Sequence, residues 1–336
     1  MPNPPPDSTS PTPRRLLEMA WGYAAPMILG TAVEHRIFDL LDDGPLSAAE
    51  VSAASGASLR GIRAILNALT AFELLTKDKQ ERYALTPESA AFLVRGRPGF
   101  IGGFMQHGGH LIPKWLQLPE IVRTGRPARA VNQEGEGSEF FESFVEDLFP
   151  VGYPSARALA AAFPNAKRVL DLAAGSGVWS VPLAQNSRDV RVTAVDWAGV
   201  LPATRRMTER MGVAGQYEFR AGDLHEVDFG TGYELATLGH ILHSEGEARS
   251  RALLGKVFRA LAPGGSIAVA EFLANEDRSG PPLAMLFAVN MLINTEEGDT
   301  FTVPEIFEWL REAGFIEPRT LEVPSPSPLI LARRPD

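Results

Sequence analysis

The chain of 336 residues contains no cysteine, which excludes a disulfide framework. It shows no charged-then-apolar leader and no uninterrupted apolar run near the length of a membrane span, although 45% of its residues are hydrophobic. A soluble protein with no membrane partner, cytoplasmic by default, is the expectation. Excess positive charge is missing as well. The formal net charge of −9 argues against a nucleic-acid partner and for an enzyme acting on a small molecule. The length is enough for two domains with ample cores.

What the chain does contain is concentrated first in Val169-Leu170-Asp171-Leu172-Ala173-Ala174-Gly175-Ser176-Gly177. A short apolar run carries an acid near its end, breaks into a small-residue turn, and is followed by a helical pattern over residues 178–185. Glycine lacks the Cβ that would hold a ligand away, and the following helix N-terminus offers free N–H groups. A dinucleotide fold would place another Gly or Ala where Ser180 stands, so a tight strand-to-helix turn without a ligand stays open at this point. Four further runs follow. Arg191–Asp196 ends in an acid, and Tyr217–Ala221 leads into Gly222-Asp223-Leu224. Residues 234–238 lead into Gly239-His240-Ile241-Leu242-His243. A helical pattern over about 247–261 stops at Ala262-Pro263-Gly264-Gly265, and the strand 267–270 ends at Glu271. Alternating strands and helices imply a parallel sheet, whose ligands sit at the strands' carboxyl ends. Asp171, Asp196, Asp223, His243 and Glu271 all fall on that edge.

Together with Ala313-Gly314-Phe315, these segments resemble the successive motifs of class I S-adenosylmethionine-dependent methyltransferases. With Ile241-Leu242-His243 and Ala270-Glu271 the resemblance narrows to small-molecule O-methyltransferases, the plant caffeic-acid type and the bacterial secondary-metabolite type. It implies an α/β fold with a Rossmann-like methyltransferase domain, a mostly parallel sheet with an antiparallel last strand, and an N-terminal, mainly α winged-helix dimerisation domain.

The organisation expected along the chain is a disordered tail over 1–13, the winged-helix domain over 14–99, a helical bridge over 100–163 and the cofactor-binding domain over 164–336. The stretch 14–38 is helical and strongly apolar, and its excess of apolar residues suits a homodimer. Ser47 and Glu50 have capping-box spacing, and Ser58 opens a second short helix. Residues 74–85 alternate around Lys77-Asp78-Lys79 as a small β-wing. This pattern can read DNA, but the would-be recognition helix carries only Arg60 and Arg63. The bridge contains a flexible stretch, Glu134-Gly135-Glu136-Gly137, and aromatics, Tyr153 among them, that divide between core and pocket wall.

The resemblance implies S-adenosyl-L-methionine as cofactor and a homodimer. It places the turn bearing Asp171, Ala173, Gly175 and Gly177 under the methionine moiety, and Asp196 on the ribose. Asp223 and Leu224 meet the adenine, and Trp197 is placed to cover its other face, unless that ring is core. His243 takes the part of general base and Glu271 accepts its other ring N–H. A late apolar helix would line the substrate pocket with Met285, Phe287, Met291 and Asn294, the last alternatively a helix C-cap. No metal is needed. Ser244 and Glu245 stand where caffeic-acid types continue the His with Asp and Trp, Thr300 where they carry a second Glu, and Gly239 where they carry Lys. The activity expected is methyl transfer to a hydroxyl, phenolic by class, of a small secondary metabolite. Two alternatives stay open: C-methylation of an enolisable keto-acid carbon, metal-assisted through His243 and Glu271, and a rearrangement with the cofactor bound but no methyl transferred.

Overall fold

The computed structural model describes residues 11–127 and 134–336, without the side chains at 109, 110, 134–136, 138–140 and 143. Most of the expected tail lies outside the described residues. The chain divides into two compact units, the first ending at His110 and the second running from Leu111 to Asp336.

In the first unit, helices Arg14–Ala20, Ala24–Glu34 and Ile37–Leu40 precede the two short helices Ala48–Ser55 and Leu59–Ala71. Ser47 and Glu50 form the capping box expected of their spacing, and Ser58 Oγ accepts the Gly61 N–H. Strands Leu46–Ser47, Arg82–Leu85 and Leu75–Lys77 form a small antiparallel sheet in that order. Its turn closes as Asp78 Oδ1 accepts the N–H groups of Gln80 and Arg82. The core gathers Val33, Phe38, Val51, Ile62, Leu66, Leu69 and Tyr83. The boundary differs from the expected bridge, because helix Gly102–Gln106 packs on Ala24–Glu34 and joins residues 100–110 to this unit.

The first helix buries none of its residues, leaving Leu16 70% exposed, and Trp21 just after it is 68% exposed. By length and composition Arg14–Glu34, with mean hydropathy 1.2, is long and apolar enough to cross a membrane. It is not an uninterrupted apolar run, since Arg14, Arg15 and Glu18 lie within it. The stretch is broken at residues 21–23 into two helices, with the rings of Trp21 and Tyr23 stacked 6.0 Å apart.

The second unit is built on a seven-stranded sheet. We number its strands β1 (Arg168–Leu172), β2 (Arg191–Asp196), β3 (Tyr217–Ala221), β4 (Tyr233–Gly239), β5 (Leu261–Ala270), β6 (Ile316–Leu321) and β7 (Leu329–Arg333). The order across the sheet is β3-β2-β1-β4-β5-β7-β6. All strands run parallel except β7, antiparallel to both its neighbours. The central strands read as continuous apolar runs because both faces are covered: Leu170, Leu172 and Leu238 pack into one core layer, Val169, Val192 and Leu235 into the other.

Three local expectations are corrected. The glycine-bearing stretch 134–137 opens the helix Glu134–Ala162 instead of forming a flexible loop. That helix packs against Val181–Asn186 and Leu201–Arg210, and Glu142 and Glu146 receive Arg206 at 3.1 and 2.6 Å. The helix after the first turn begins at Val181, later than 178. The helix expected near 247 already starts at Leu242, is kinked at Gly246 and ends at Ala260. Strand β5 then starts at once, so the residues 262–265 that look like breakers lie within its irregular beginning. The helix does end just before them, and they form a bulge without partners on β4 between the paired residues Leu261 and Ser266.

Candidate active site

At the carboxyl end of β1 the chain turns sharply through left-handed backbone, with φ of 54° at Gly175 and 73° at Gly177. Ala173 also lies there, at 49°, a conformation that disfavours any side chain. The turn is held from both sides. Gly175 N–H donates to Asp196 Oδ2 at 2.8 Å, and Trp197 N–H to Asp196 Oδ1 at 2.7 Å. Thr204 Oγ1 donates to the Gly175 carbonyl at 2.6 Å, and Gly222 N–H to the Asp196 carbonyl at 3.0 Å. One acid thus ties together the ends of β1, β2 and β3. Burial raises the Asp196 carboxyl to about 6 against the two amide bonds, which lower it.

Asp171 lies beneath the turn and is 1% exposed. It accepts hydroxyl bonds from Ser180 and, at 2.7 Å, from Thr237. Ser180 in turn lies 2.9 Å from the Tyr217 hydroxyl. The serine standing where a third glycine was sought is therefore the partner of a buried acid. Burial pushes Asp171 up to about 7, the two hydroxyl bonds oppose this, and the nearby Asp196 adds to the rise. The sign of the consequence is clear. Between the ordinary Asp value of about 4 and about 7 the folded state holds a proton that the unfolded state has lost, so stability falls as pH rises through that window. Asp171→Asn removes this ionisation. In thermal melts its midpoint should gain on that of the unaltered protein by a few degrees between pH 5 and pH 8. A gap that does not change with pH would show that Asp171 stays ionised.

At the end of β4, a Cβ built on Gly239 would stand 2.1 Å from Trp179 Cδ1, so the indole of Trp179 requires glycine there. His240 donates its N–H to the Ala270 carbonyl at 2.8 Å, and its ring lies 6.0 Å from Trp179 and 4.9 Å from Phe272. His243 opens the next helix. Its backbone N–H donates to Glu271 Oε1 at 3.3 Å, and its Nδ1 lies 2.7 Å from Glu271 Oε2. Both side chains are buried, the residues being 8% and 4% exposed. A carboxylate at Nδ1 assigns the proton to that nitrogen and leaves Nε2 as the acceptor of the neutral ring. Burial alone would raise the Glu271 carboxyl; the charge and hydrogen bond of His243 outweigh it and hold the group below its ordinary value. Phe287 meets the His243 ring edge-on at 4.8 Å, and Phe272 stacks on Phe287 at 4.0 Å.

The remaining sequence-predicted residues are placed as follows. Asp223 Oδ1 accepts the His225 N–H at 2.7 Å, and Leu224 is buried in the core layer over the sheet. Trp197 is half-buried, 6.3 Å from Phe141. Tyr153 stacks on Phe149 at 5.2 Å and donates to Gln185 Oε1 at 2.9 Å, contacts outside the His243 group. Met285 is half-buried and Met291 buried on the helix Pro282–Asn294, which also carries Phe287. Asn294 ends that helix; its amide donates back to the Asn290 carbonyl at 2.9 Å, and its Oδ1 accepts from Lys114 at 3.0 Å. Thr295, not Asn294, is the C-cap. Phe272 and Trp179 escaped the sequence reading. Phe272 could have been found as the residue directly after Glu271, whereas nothing local marks Trp179.

The donor set also has a metal-like grouping. One ligand atom from each of His240, His243 and Glu271 lies within 4.8 Å of the others. A cation there would compete with the Nδ1 bond to Glu271.

Comparison with known proteins is consistent along the whole chain. The O-methyltransferase dimerisation domain family matches residues 17–95, and the O-methyltransferase domain family matches residues 132–316. The 3-hydroxy-5-methyl-1-naphthoate 3-O-methyltransferase of Streptomyces sahachiroi is 32% identical over 322 residues, covering 94% of this chain and 92% of that protein. The tetracenomycin polyketide synthesis 8-O-methyl transferase TcmO of Streptomyces glaucescens is 29% identical, covering 96% and 97%. Among solved structures, human N-acetylserotonin methyltransferase in complex with S-adenosylmethionine superposes with a TM-score of 0.83 at 26% identity, covering 98% of this chain and 100% of that one.

Proposed function

The chain belongs to the O-methyltransferase family, and on that premise we propose that it moves the methyl group of S-adenosyl-L-methionine to a phenolic hydroxyl of a small secondary metabolite. The observation that carries this reading is the His243–Glu271 pair, buried at the carboxyl edge of the sheet with Nδ1 held at 2.7 Å from the carboxylate. A phenol has a pKa near ~10, so a neutral imidazole presenting Nε2 lowers the barrier to losing its proton. Glu271 orients the ring and stabilises the imidazolium that forms. Phe272 and Phe287 lie beside the His243 ring and supply apolar faces for an aromatic acceptor. The naphthoate enzyme's printed name describes a hydroxylated aromatic acceptor, which supports the same class.

The residues present suit the cofactor. Asp196 uses each carboxylate oxygen once, and each oxygen retains a second lone pair for a ribose hydroxyl. Asp223 accepts from the adenine amine and Leu224 packs against the ring, with Trp197 on the other face. Gly175 and Gly177 let the backbone approach the methionyl half; Ala173 continues that turn and Asp171 shapes it from below. Met285, Met291 and Asn294 belong to the wall of the acceptor pocket. When bound, the cofactor supplies a methyl group on a sulfonium, an already activated leaving group.

The test is mass analysis after incubation with S-adenosylmethionine and a panel of phenols, hydroxyquinones and keto acids. One methyl gained on a phenolic oxygen is the expected result. Product formed without mass gain would instead indicate a rearrangement. The grouping of His240, His243 and Glu271 favours a second reading, metal-assisted methylation of an enolisable carbon. That reading requires metal in the purified protein and loss of turnover with chelator.

We infer further that two copies associate through the apolar helices between Arg14 and Glu34, whose exposed Leu16, Leu17, Met19 and Trp21 call for a cover. Light scattering should give a dimer mass at micromolar concentration, and Trp21→Glu should shift it towards monomer. A monomeric unaltered protein would overturn this.

A further inference from the structure

The segment 223–227 carries the two residues assigned to the adenine, Asp223 and Leu224, yet contains neither strand nor helix. Among the described residues, its polar side-chain links to other elements run to the helix Leu242–Ala260, the helix that begins beside His243. Lys256 Nζ donates to the carbonyls of Leu224 and Val227 at 2.8 and 2.6 Å. His225 Nε2 lies 2.6 Å from Glu245 Oε2, and Arg249 Nε donates to the same oxygen at 2.6 Å. Arg249 then reaches Asp223 Oδ2 at 3.9 Å. Glu245 is 7% exposed and forms the buried end of this knot, while the side chains of Asp223 and Arg249 are partly open to water; charge-assisted bonds to the buried carboxylate hold its geometry firmly. It is also one of the two residues that depart from the family pattern after the histidine, and it has no part in the proton transfer described above.

We propose that Glu245 is a positioning residue for the adenosyl half of the cofactor. Through His225 and Arg249 it fastens the segment bearing Asp223 to the helix that carries His243. The proposal rests on the reading that Asp223 faces the adenine. Removing the Glu245 charge frees His225 and Arg249 together, so Asp223 is no longer held where its carboxylate meets a ligand. Chemistry at His243 is untouched, because Glu271 and not Glu245 holds that ring.

The test compares Glu245→Gln and Arg249→Gln with the unaltered dimer, each first shown to melt cooperatively. Calorimetry with S-adenosylhomocysteine and steady-state kinetics with S-adenosylmethionine supply the readouts. Glu245→Gln should weaken product binding and raise the cofactor KM by about tenfold. Turnover at saturating cofactor and the acceptor KM should stay within about twofold. Arg249→Gln, at a half-exposed side chain, should shift the same constants in the same direction by a smaller factor. The double variant should lose less than the product of the two, as expected for residues acting on one segment. Unchanged cofactor constants in both variants, or a fall in turnover with the cofactor KM unchanged, would overturn the proposal. Asp223→Ala run in parallel separates the two levels. If it leaves cofactor affinity unchanged, the adenine assignment itself fails. If it weakens affinity while Glu245→Gln does not, only the positioning role of Glu245 fails.

Discussion

His243→Ala should lower turnover by about 10²–10⁴-fold and leave cofactor affinity nearly unchanged. The loss should shrink for acidic phenols, which ionise unaided and no longer need a base. Removing the ring also removes the interaction and side-chain bond that chiefly hold Glu271 down, leaving a buried carboxylate with the backbone N–H of residue 243 as its remaining hydrogen bond among the described residues. Some loss of thermal stability should accompany the kinetic effect. Glu271→Gln should cost less, about tenfold. Glu271 accepts two bonds from residue 243, one from the backbone N–H and one from Nδ1–H, and glutamine has only one oxygen to answer both. Rates with phenols of graded acidity decide the matter. Equal losses for strongly and weakly acidic acceptors would show that His243 positions the acceptor or holds a metal.

Asp196→Ala should weaken cofactor binding by about 10–100-fold, the worth of charge-assisted bonds to a ribose. From the sequence, this acid at a strand tip looks dispensable to the fold. The structure says otherwise, because the same carboxylate receives the N–H groups of Gly175 and Trp197. The variant should therefore also melt earlier, its glycine turn having lost its anchor. With the carboxyl raised to about 6, cofactor affinity of the unaltered protein should fall as pH drops through that value, since the protonated acid is a poorer acceptor. Calorimetry with S-adenosylhomocysteine between pH 5 and pH 8 measures both effects. An affinity unchanged by the substitution would remove Asp196 from the cofactor site.

The strand Arg191–Asp196 and the acid that ends it were legible because a parallel strand covered on both faces is an apolar run, interrupted where it reaches the ligand edge. The capping box of Ser47 and Glu50 was legible because it is local, closing over four residues. The start of the helix at Glu134 and the course of residues 262–265 were not. Glycines argue against a helix start at Glu134, and packing against distant helices overrules them. At 262–265 the breakers do end the helix, but the chain bulges out between Leu261 and Ser266 within β5 instead of preceding the strand. The apolar character of 14–38 was legible from composition, whereas how much of it the fold leaves uncovered was not.

The sequence by itself thus determined the kind of elements, their order, and the set of acids and the histidine gathered on one edge, since each follows from periodicity and residue type within a few positions. Only the tertiary structure decided what those groups do to one another. It gave Asp171 to Ser180 and Thr237, Asp196 to the glycine turn, Glu245 to His225 and Arg249, and the place beside Gly239 to Trp179. Apart from the i,i+4 pair Glu245–Arg249, these pairings join residues on different elements, and no local pattern encodes which polar group, once buried, will find which partner.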